Sequence, residues 1–217
     1  MLLKNLKGTF SSFEEKLLSE QSTIGIILGA RGTGKTAIGL KLLENIHSKT
    51  GRTVYTMGFK TEDLPHWILN IDSIDDVKND GAVLLDESGI QFSSRESMSN
   101  INKLLSNLLL ISRHKDLTLL FISQSSSNLD INILRQSDFL ILKPSSLLQK
   151  DFERKKINDI YKEAEKDFKH FKEDKGLAYI YSEAYKGFIS NPLPSFWTSN
   201  VSKAFRKWTC LNTKNIF

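Results

Sequence analysis

Apolar positions along this chain fall into two patterns that alternate: short continuous runs, and longer stretches with an apolar residue every three or four positions. The first continuous run, TIGIILGA (23–30), ends in glycine and reads as a buried strand. Behind it, GKTAIGLKLLENIHSK (34–49) sets Ile38, Leu42 and Ile46 on one helical face, and Gly51 is a natural stop. The β-branched and aromatic run TVYTMGF (53–59) predicts a second strand. AVLLDE (82–87) predicts a third, LTLLFISQ (117–124) a fourth and DFLILK (138–143) a fifth. Ahead of the fourth, Ser93 and Glu96 form a capping box for a helix whose Ile101, Leu104, Leu105, Leu108 and Leu109 face the core. The stretch 60–80 is acidic and irregular around Pro65.

Strands with near-continuous apolar runs, alternating with helices, predict an α/β fold: a parallel sheet covered on both faces, three layers in all. The flanks read differently. Residues 1–22 read as a helical lead-in carrying Leu17 and Leu18. After Pro144 comes a charged amphipathic helix over 149–172, with Ile157, Ile160, Tyr161, Ala164, Phe168 and Phe171 on its apolar side. AYIYS (178–182) and KGFIS (186–190) then pair as a hairpin, NPLPSFW forms a strap, and SKAFRKW (202–208) closes as a short helix. The expected organisation is a lead-in (1–22), a core (23–146) and a C-terminal helix, hairpin and strap (147–217) packing on the core.

Composition permits this. Of 217 residues, 40% are apolar and 25% charged, which is enough apolar material for one packed core. The single cysteine, Cys210, excludes an internal disulfide and fits a reducing compartment; beside Trp208 it reads as an apolar filler rather than a nucleophile. No apolar run approaches the ~20 residues that span a bilayer, and MLLKNLKGTF lacks the apolar stretch of a signal peptide. The expected location is the cytoplasm, or a particle assembled there, with no membrane partner. Net charge is +5, unevenly spread: two lysines against six acids give −4 over 60–80, and five basic residues against one acid give +4 over 176–217. A basic C-terminal segment suits a polyanionic partner, and it equally suits a plain solvated surface.

The strongest chemical signal is GARGTGKT, which satisfies G-x-x-x-x-G-K-[ST] between a strand and a helix. Gly29, Ala30, Arg31, Gly32, Thr33, Gly34, Lys35 and Thr36 are therefore the expected cradle for ATP or another nucleoside triphosphate. Its glycines let backbone N–H groups turn inward on phosphate oxygens at the positive end of the following helix. Lys35 reaches the β- and γ-phosphates, and the Thr36 hydroxyl ligates Mg2+. Asp86, at the end of the third strand, supplies the second metal ligand, and Glu87 beside it polarises the attacking water.

A glutamate following that aspartate resembles the additional-strand catalytic-glutamate class of P-loop ATPases. In that class an extra strand lies between the P-loop strand and the acidic strand. The fourth strand is the natural occupant, giving the order 5-1-4-3-2. Gln124 then emerges between Lys35 and Glu87, where an amide can bond phosphate or water and report the nucleotide state. Spread charge on the transferred phosphoryl also calls for an arginine, usually from a neighbouring subunit. Arg113 and Arg135 are the candidates, with Arg95 and Arg31 behind them, and each also fits a surface role. His114 fits a helix C-terminal position. Phe168, Phe171, Tyr179, Tyr181, Phe196 and Trp197 are able to stack on bases, but their helical or alternating spacing fits a core.

GARGTGKT, LLDES, the helix ending ISRHKD, and LTLLFISQ followed by ILRQSDFLI together resemble the HerA–FtsK superfamily, over about 23–143. Within it the chain looks like the small genome-packaging ATPases of viruses, including archaeal ones. The resemblance implies a RecA-like core and a ring, often a hexamer, with nucleotide sites between subunits. It further implies double-stranded DNA threading the centre and an association with capsid proteins. Lys115, Arg135 and Lys143 are expected sources of the positive charge that grips phosphates. Two other readings compete: a P-loop assembly factor like the zonular-occludens-toxin proteins of filamentous phages, which moves protein rather than DNA, and a nucleotide-dependent switch or small-molecule kinase. The scarcity of arginines for a lid, and Glu87 after Asp86, favour water over a kinase acceptor.

Overall fold

The computed structural model describes residues 1–19, 22–59, 61–87, 107–146, 152–198 and 201. Along the chain run β1 (Leu2–Gly8), α1 (Phe10–Ser19), β2 (Thr23–Leu28), α2 (Lys35–Thr50), β3 (Val54–Met57), β4 (Ile68–Asn70) and β5 (Ala82–Asp86). They are followed by α3 (described over 107–114), β6 (Thr118–Ser123), α4 (Ile131–Gln136), β7 (Phe139–Leu142), α5 (Lys155–His170), β8 (Leu177–Ser182) and β9 (Tyr185–Ser190). All nine strands join one sheet in the order β1-β9-β8-β7-β2-β6-β5-β3-β4.

The five strands predicted from the apolar runs sit at its centre as β7-β2-β6-β5-β3, all parallel, which is the expected order 5-1-4-3-2. Their continuous apolar runs follow from burial on both faces. Ile24, Ile26, Leu28, Val83, Leu85, Leu119 and Phe121 pack with Ile133 of α4 and Ile157, Ile160 and Tyr161 of α5. The alternate residues Ile27, Leu84, Leu120 and Ile122 pack with Phe13 and Leu17 of α1 and Ile38, Leu40, Leu43 and Ile46 of α2. The result is the three-layer RecA-like architecture. Leu42, expected on one face with Ile38 and Ile46, is only half-buried, while Leu40 and Leu43 are fully enclosed.

The sheet is larger than expected, and mixed. The predicted hairpin β8–β9 forms, but it continues the plane of the sheet, with β8 antiparallel to β7. The lead-in is not purely helical: Leu2–Gly8 is a strand, antiparallel to β9, and only Phe10–Ser19 is helix. LLKNLKG is exposed at six of its seven positions, so no alternation betrays it; it is held by the backbone of β9. Lys4, Lys7 and two register shifts blunt this edge against further pairing. At the other edge the irregular acidic stretch contributes the three-residue β4, parallel to β3. The C-terminal helix starts at Lys155 and buries Ile157, Ile160, Tyr161 and Ala164, with Phe168 and Phe171 partly covered. The capping box at Ser93 and Glu96, the helix residues Ile101, Leu104 and Leu105, and the segment 202–208 lie outside the described residues.

Candidate active site

Parallel strands gather their carboxyl ends on one edge, and four of the predicted site residues meet there. β2 ends at Leu28, and the chain turns through the P-loop into α2. Gly29 (φ +152°) and Gly34 (φ +89°) take conformations that L side chains rarely adopt, and a Cβ at Gly29 would sit 2.6 Å from the Cβ of Lys143. The Ala30 N–H donates to the Pro144 carbonyl at 3.0 Å, and Thr33 Oγ1 donates to the Ala30 carbonyl at 2.7 Å. Lys35 Nζ turns back into its own loop, donating to the carbonyls of Gly29 at 2.8 Å and Ala30 at 3.0 Å. Arg31 and Gly32 are exposed at the rim, and Thr36 is half-buried in the first turn of α2. Burial lowers the Lys35 ammonium pKa, and the nearby charges of Asp86 and Glu87 partly restore it.

Register brings the carboxylates to the same edge. Asp86 pairs with Ile122 across β5 and β6, so Glu87 falls beside Ser123. Glu87 is buried, and its Oε2 accepts a hydrogen bond from Ser123 Oγ at 2.5 Å. Burial is the main influence on the Glu87 carboxyl and pushes its pKa up; Asp86 adds to this, while hydrogen bonds from Ser123 and Asn128 and the charge of Lys35 pull it down. The outcome is a carboxylate more basic than usual, held in a fixed orientation. Ser123 also pairs with Leu28 of β2, so Gln124 leaves the sheet immediately beside the P-loop, exposed.

The loop after Gln124 is clamped by the C-terminal region. Glu153 accepts from both the backbone N–H (2.8 Å) and the hydroxyl of Ser126. Arg154 donates from Nε to the Ser126 carbonyl at 3.0 Å and from Nη2 to the Leu129 carbonyl at 2.6 Å. Asn128, one of the partners of Glu87, lies inside this clamped loop.

The arginine candidates lie elsewhere. Arg113 is in the last turn of α3, just before β6 begins opposite Thr23, and donates from Nη2 to Gln136 Oε1 at 3.4 Å. That is the amino edge of the parallel strands, about 20 Å from the P-loop at the rise of a six-residue strand. Arg135 is exposed at the same edge, in the wall of a cavity it shares with Lys156 and Lys186. Neither joins the P-loop edge. Arg95 lies outside the described residues.

Two expected phosphate-gripping lysines are contradicted. Lys143 is only 2% exposed, with its side chain lying along the P-loop instead of facing solvent. Lys115 directs Nζ to the carbonyls of Val77 at 2.8 Å and Asp75 at 3.2 Å, tying down the acidic stretch. The aromatic residues form core: Phe168 packs on Phe188 at 5.2 Å, Tyr179 stacks on Phe188 at 4.7 Å, and Phe196 meets Trp67 at 5.4 Å. Among the described residues no helix is long and apolar enough to cross a membrane. Ser123, Asn128 and Lys143 are the neighbours of the site that sequence reasoning did not assign to it. The Ser-Gln strand end points to the first; nothing local points to the others.

A parallel sheet with an extra strand between the P-loop strand and the acidic strand, bearing the P-loop and an Asp-Glu pair on one edge, is the fold of the RecA-like P-loop ATPases. Solved structures share it. The chain is similar to the DNA-packaging ATPase B204 of Sulfolobus turreted icosahedral virus, with a TM-score of 0.56 and 12% identity, over 80% of this chain and 98% of that one. The genome-packaging NTPase B204 of Sulfolobus turreted icosahedral virus 2, in complex with ATP-γS, gives 0.56 and 13% over 80% and 98%. The pCW3 conjugation coupling protein TcpA, also with ATP-γS, gives 0.52 and 14% over 78% and 60%. No family model matches the chain, and no curated protein matches it in sequence.

Proposed function

We propose that this chain is an Mg2+-dependent ATPase that translocates or packages double-stranded DNA, working as a ring of identical subunits with ATP held between neighbours. The observation that carries the reading is the convergence of Lys35, Asp86, Glu87 and Gln124 on one sheet edge, with β6 between the P-loop and acidic strands.

The chemistry assigns each residue a role. The N–H groups of residues 30–36 and the positive end of α2 receive the phosphates. Lys35 exchanges the Gly29 and Ala30 carbonyls for phosphate oxygens, a stronger, charge-assisted partner. A hydroxyl and a carboxylate at one edge are the hard oxygen donors that suit Mg2+, so Thr36 and Asp86 would hold the ion, which would supply positive charge against the phosphates. Glu87 orients a water and takes its proton as the oxygen attacks the γ-phosphorus; the bond to the bridging oxygen breaks, and ADP and phosphate leave. Ser123 and Asn128 keep Glu87 aimed and favour its ionised form. Gln124 contacts the γ-phosphate or the water.

Arg113 and Arg135 lie at the opposite edge of the sheet from this site, so an arginine role for either would be on a neighbour's ATP. The DNA substrate is supported by the likeness to B204, named as a DNA-packaging ATPase, whose whole length this fold covers. On this reading capsid proteins are further partners, and the work is done in the host cytoplasm or at the particle.

The test is ATP-driven displacement of a third strand from linear duplex DNA. The protein is expected to strip the triplex with ATP, and Lys35→Ala to fail. ATP hydrolysis indifferent to DNA, with no displacement, would leave only a P-loop ATPase.

A further inference from the structure

Lys143 is a lysine where lysines are rare: 2% exposed, immediately after β7, with its N–H donating to the Leu28 carbonyl at 2.7 Å. Its side chain runs the length of the P-loop. Its Cβ fills the space a side chain at Gly29 would need, and Cε and Nζ lie 3.7 and 3.8 Å from where a Cβ of Gly34 would be. Gly34 is the N-cap of α2, so the ammonium sits at the positive end of that helix, on the same loop as Lys35. A cation there is opposed by the helix dipole, by Lys35 and by its own desolvation. Against these stand the Lys175 carbonyl, accepting at 3.4 Å, and the field of Asp174. Tyr161 of α5 faces the same residue through its backbone, donating to the Lys143 carbonyl at 3.2 Å. Lys35 has the charges of Asp86 and Glu87 near it, but the Lys143 ammonium, buried at the N-cap of α2, has among the described residues only Asp174 and one long carbonyl contact, and an anion on the loop would stabilise it further.

We propose that Lys143 is a second lysine of the nucleotide site: a positioning residue whose buried ammonium backs the P-loop and adds to the field that holds the triphosphate. This rests on the nucleotide-binding reading above and deepens it. The residue acts through the loop, so its contribution grows with the number of phosphate charges. Burial also lowers the Lys143 pKa to about 8, so the contribution fades as pH rises past that value.

The experiment is nucleotide binding by calorimetry to the full chain and to Lys143→Met, which keeps the volume and removes the charge. At pH 7 the variant should bind ATP about tenfold more weakly, ADP less so, and AMP almost unchanged, and should lose part of the wild-type decline in ATP affinity between pH 7 and 9. Its melting temperature without nucleotide should rise, because a buried charge whose desolvation outweighs its partners has gone; a merely structural lysine would lower it. Equal affinities in wild type and variant, or an equal loss for ATP, ADP and AMP, overturns the proposal. Should that variant not fold, Lys143→Gln, which also removes the charge, is compared in the same way, and equal affinities or an equal loss for ATP, ADP and AMP again overturn the proposal. Binding of no nucleotide by the wild type removes the P-loop reading itself.

Discussion

Ser123 Oγ donates to Glu87 Oε2 at 2.5 Å, joining the end of the inserted strand β6 to the carboxylate that follows β5. The bond exists because the register of β5 and β6 sets the two residues side by side. A hydrogen bond to a buried charged group is worth roughly 1.5–3 kcal/mol, and here it also fixes the carboxylate's direction. Ser123→Ala should therefore lower kcat for ATP by roughly 10- to 100-fold with little change in KM. Steady-state phosphate release measures this. A kcat within twofold of wild type would show that Glu87 is oriented by something else.

Arg52 should carry stability rather than activity. It is buried at the amino ends of three strands, donating to the Asp80 carbonyl at 2.8 Å, Thr118 Oγ1 at 3.0 Å and the Gly81 carbonyl at 3.1 Å, with Asp80 Oδ1 at 2.9 Å. Arg52→Ala strands these acceptors and should cost about 3 kcal/mol, seen as a melting point lower by roughly 10 °C. ATP affinity below the transition should be unchanged.

Lys143 gives stability a pH dependence of defined sign. Its folded pKa of about 8 lies below the unfolded 10.5, so between these values the unfolded chain binds a proton the native state does not. Stability must then rise with pH, by about 2 kcal/mol from pH 8 to 10. Above pH 10 the trend reverses, because burial raises Tyr161 and pushes Tyr179 to about 12, so the unfolded tyrosines ionise first. Denaturant unfolding at pH 8, 9 and 10 should show the rise in wild type and a markedly smaller one in Lys143→Met.

The arginine question has a mixing test. Lys35→Ala keeps its arginines and loses its own site; Arg113→Ala and Arg135→Ala keep their sites. If one of these arginines acts on a neighbour, mixing its variant with Lys35→Ala should restore up to about a quarter of wild-type activity, the fraction of mixed interfaces of the productive sense in a random ring. Additive activities in both mixtures would rule out a trans role for either residue.

Much of this was legible along the chain because the informative signals are local. TIGIILGA and LTLLFISQ announce strands buried on both faces, and Glu87 after Asp86 resembles the additional-strand class of P-loop ATPases, which implies an inserted strand and the order β7-β2-β6-β5-β3. What stayed hidden is tertiary. LLKNLKG is a strand only because β9 offers it a backbone to pair with. Lys143 reads as a surface cation because nothing around it in sequence says that the P-loop and the Lys175 carbonyl will enclose it. Asn128 reaches Glu87 only because Glu153 and Arg154, far along the chain, clamp its loop.

The most direct measurement is the steady-state rate of phosphate release from Mg-ATP, with and without saturating linear duplex DNA, for wild type and Glu87→Gln. The account predicts measurable hydrolysis by the wild type, stimulated severalfold or more by duplex DNA, and loss of at least about a hundredfold in Glu87→Gln with ATP binding retained. Hydrolysis equal in the two proteins, or unmoved by duplex DNA, would contradict it.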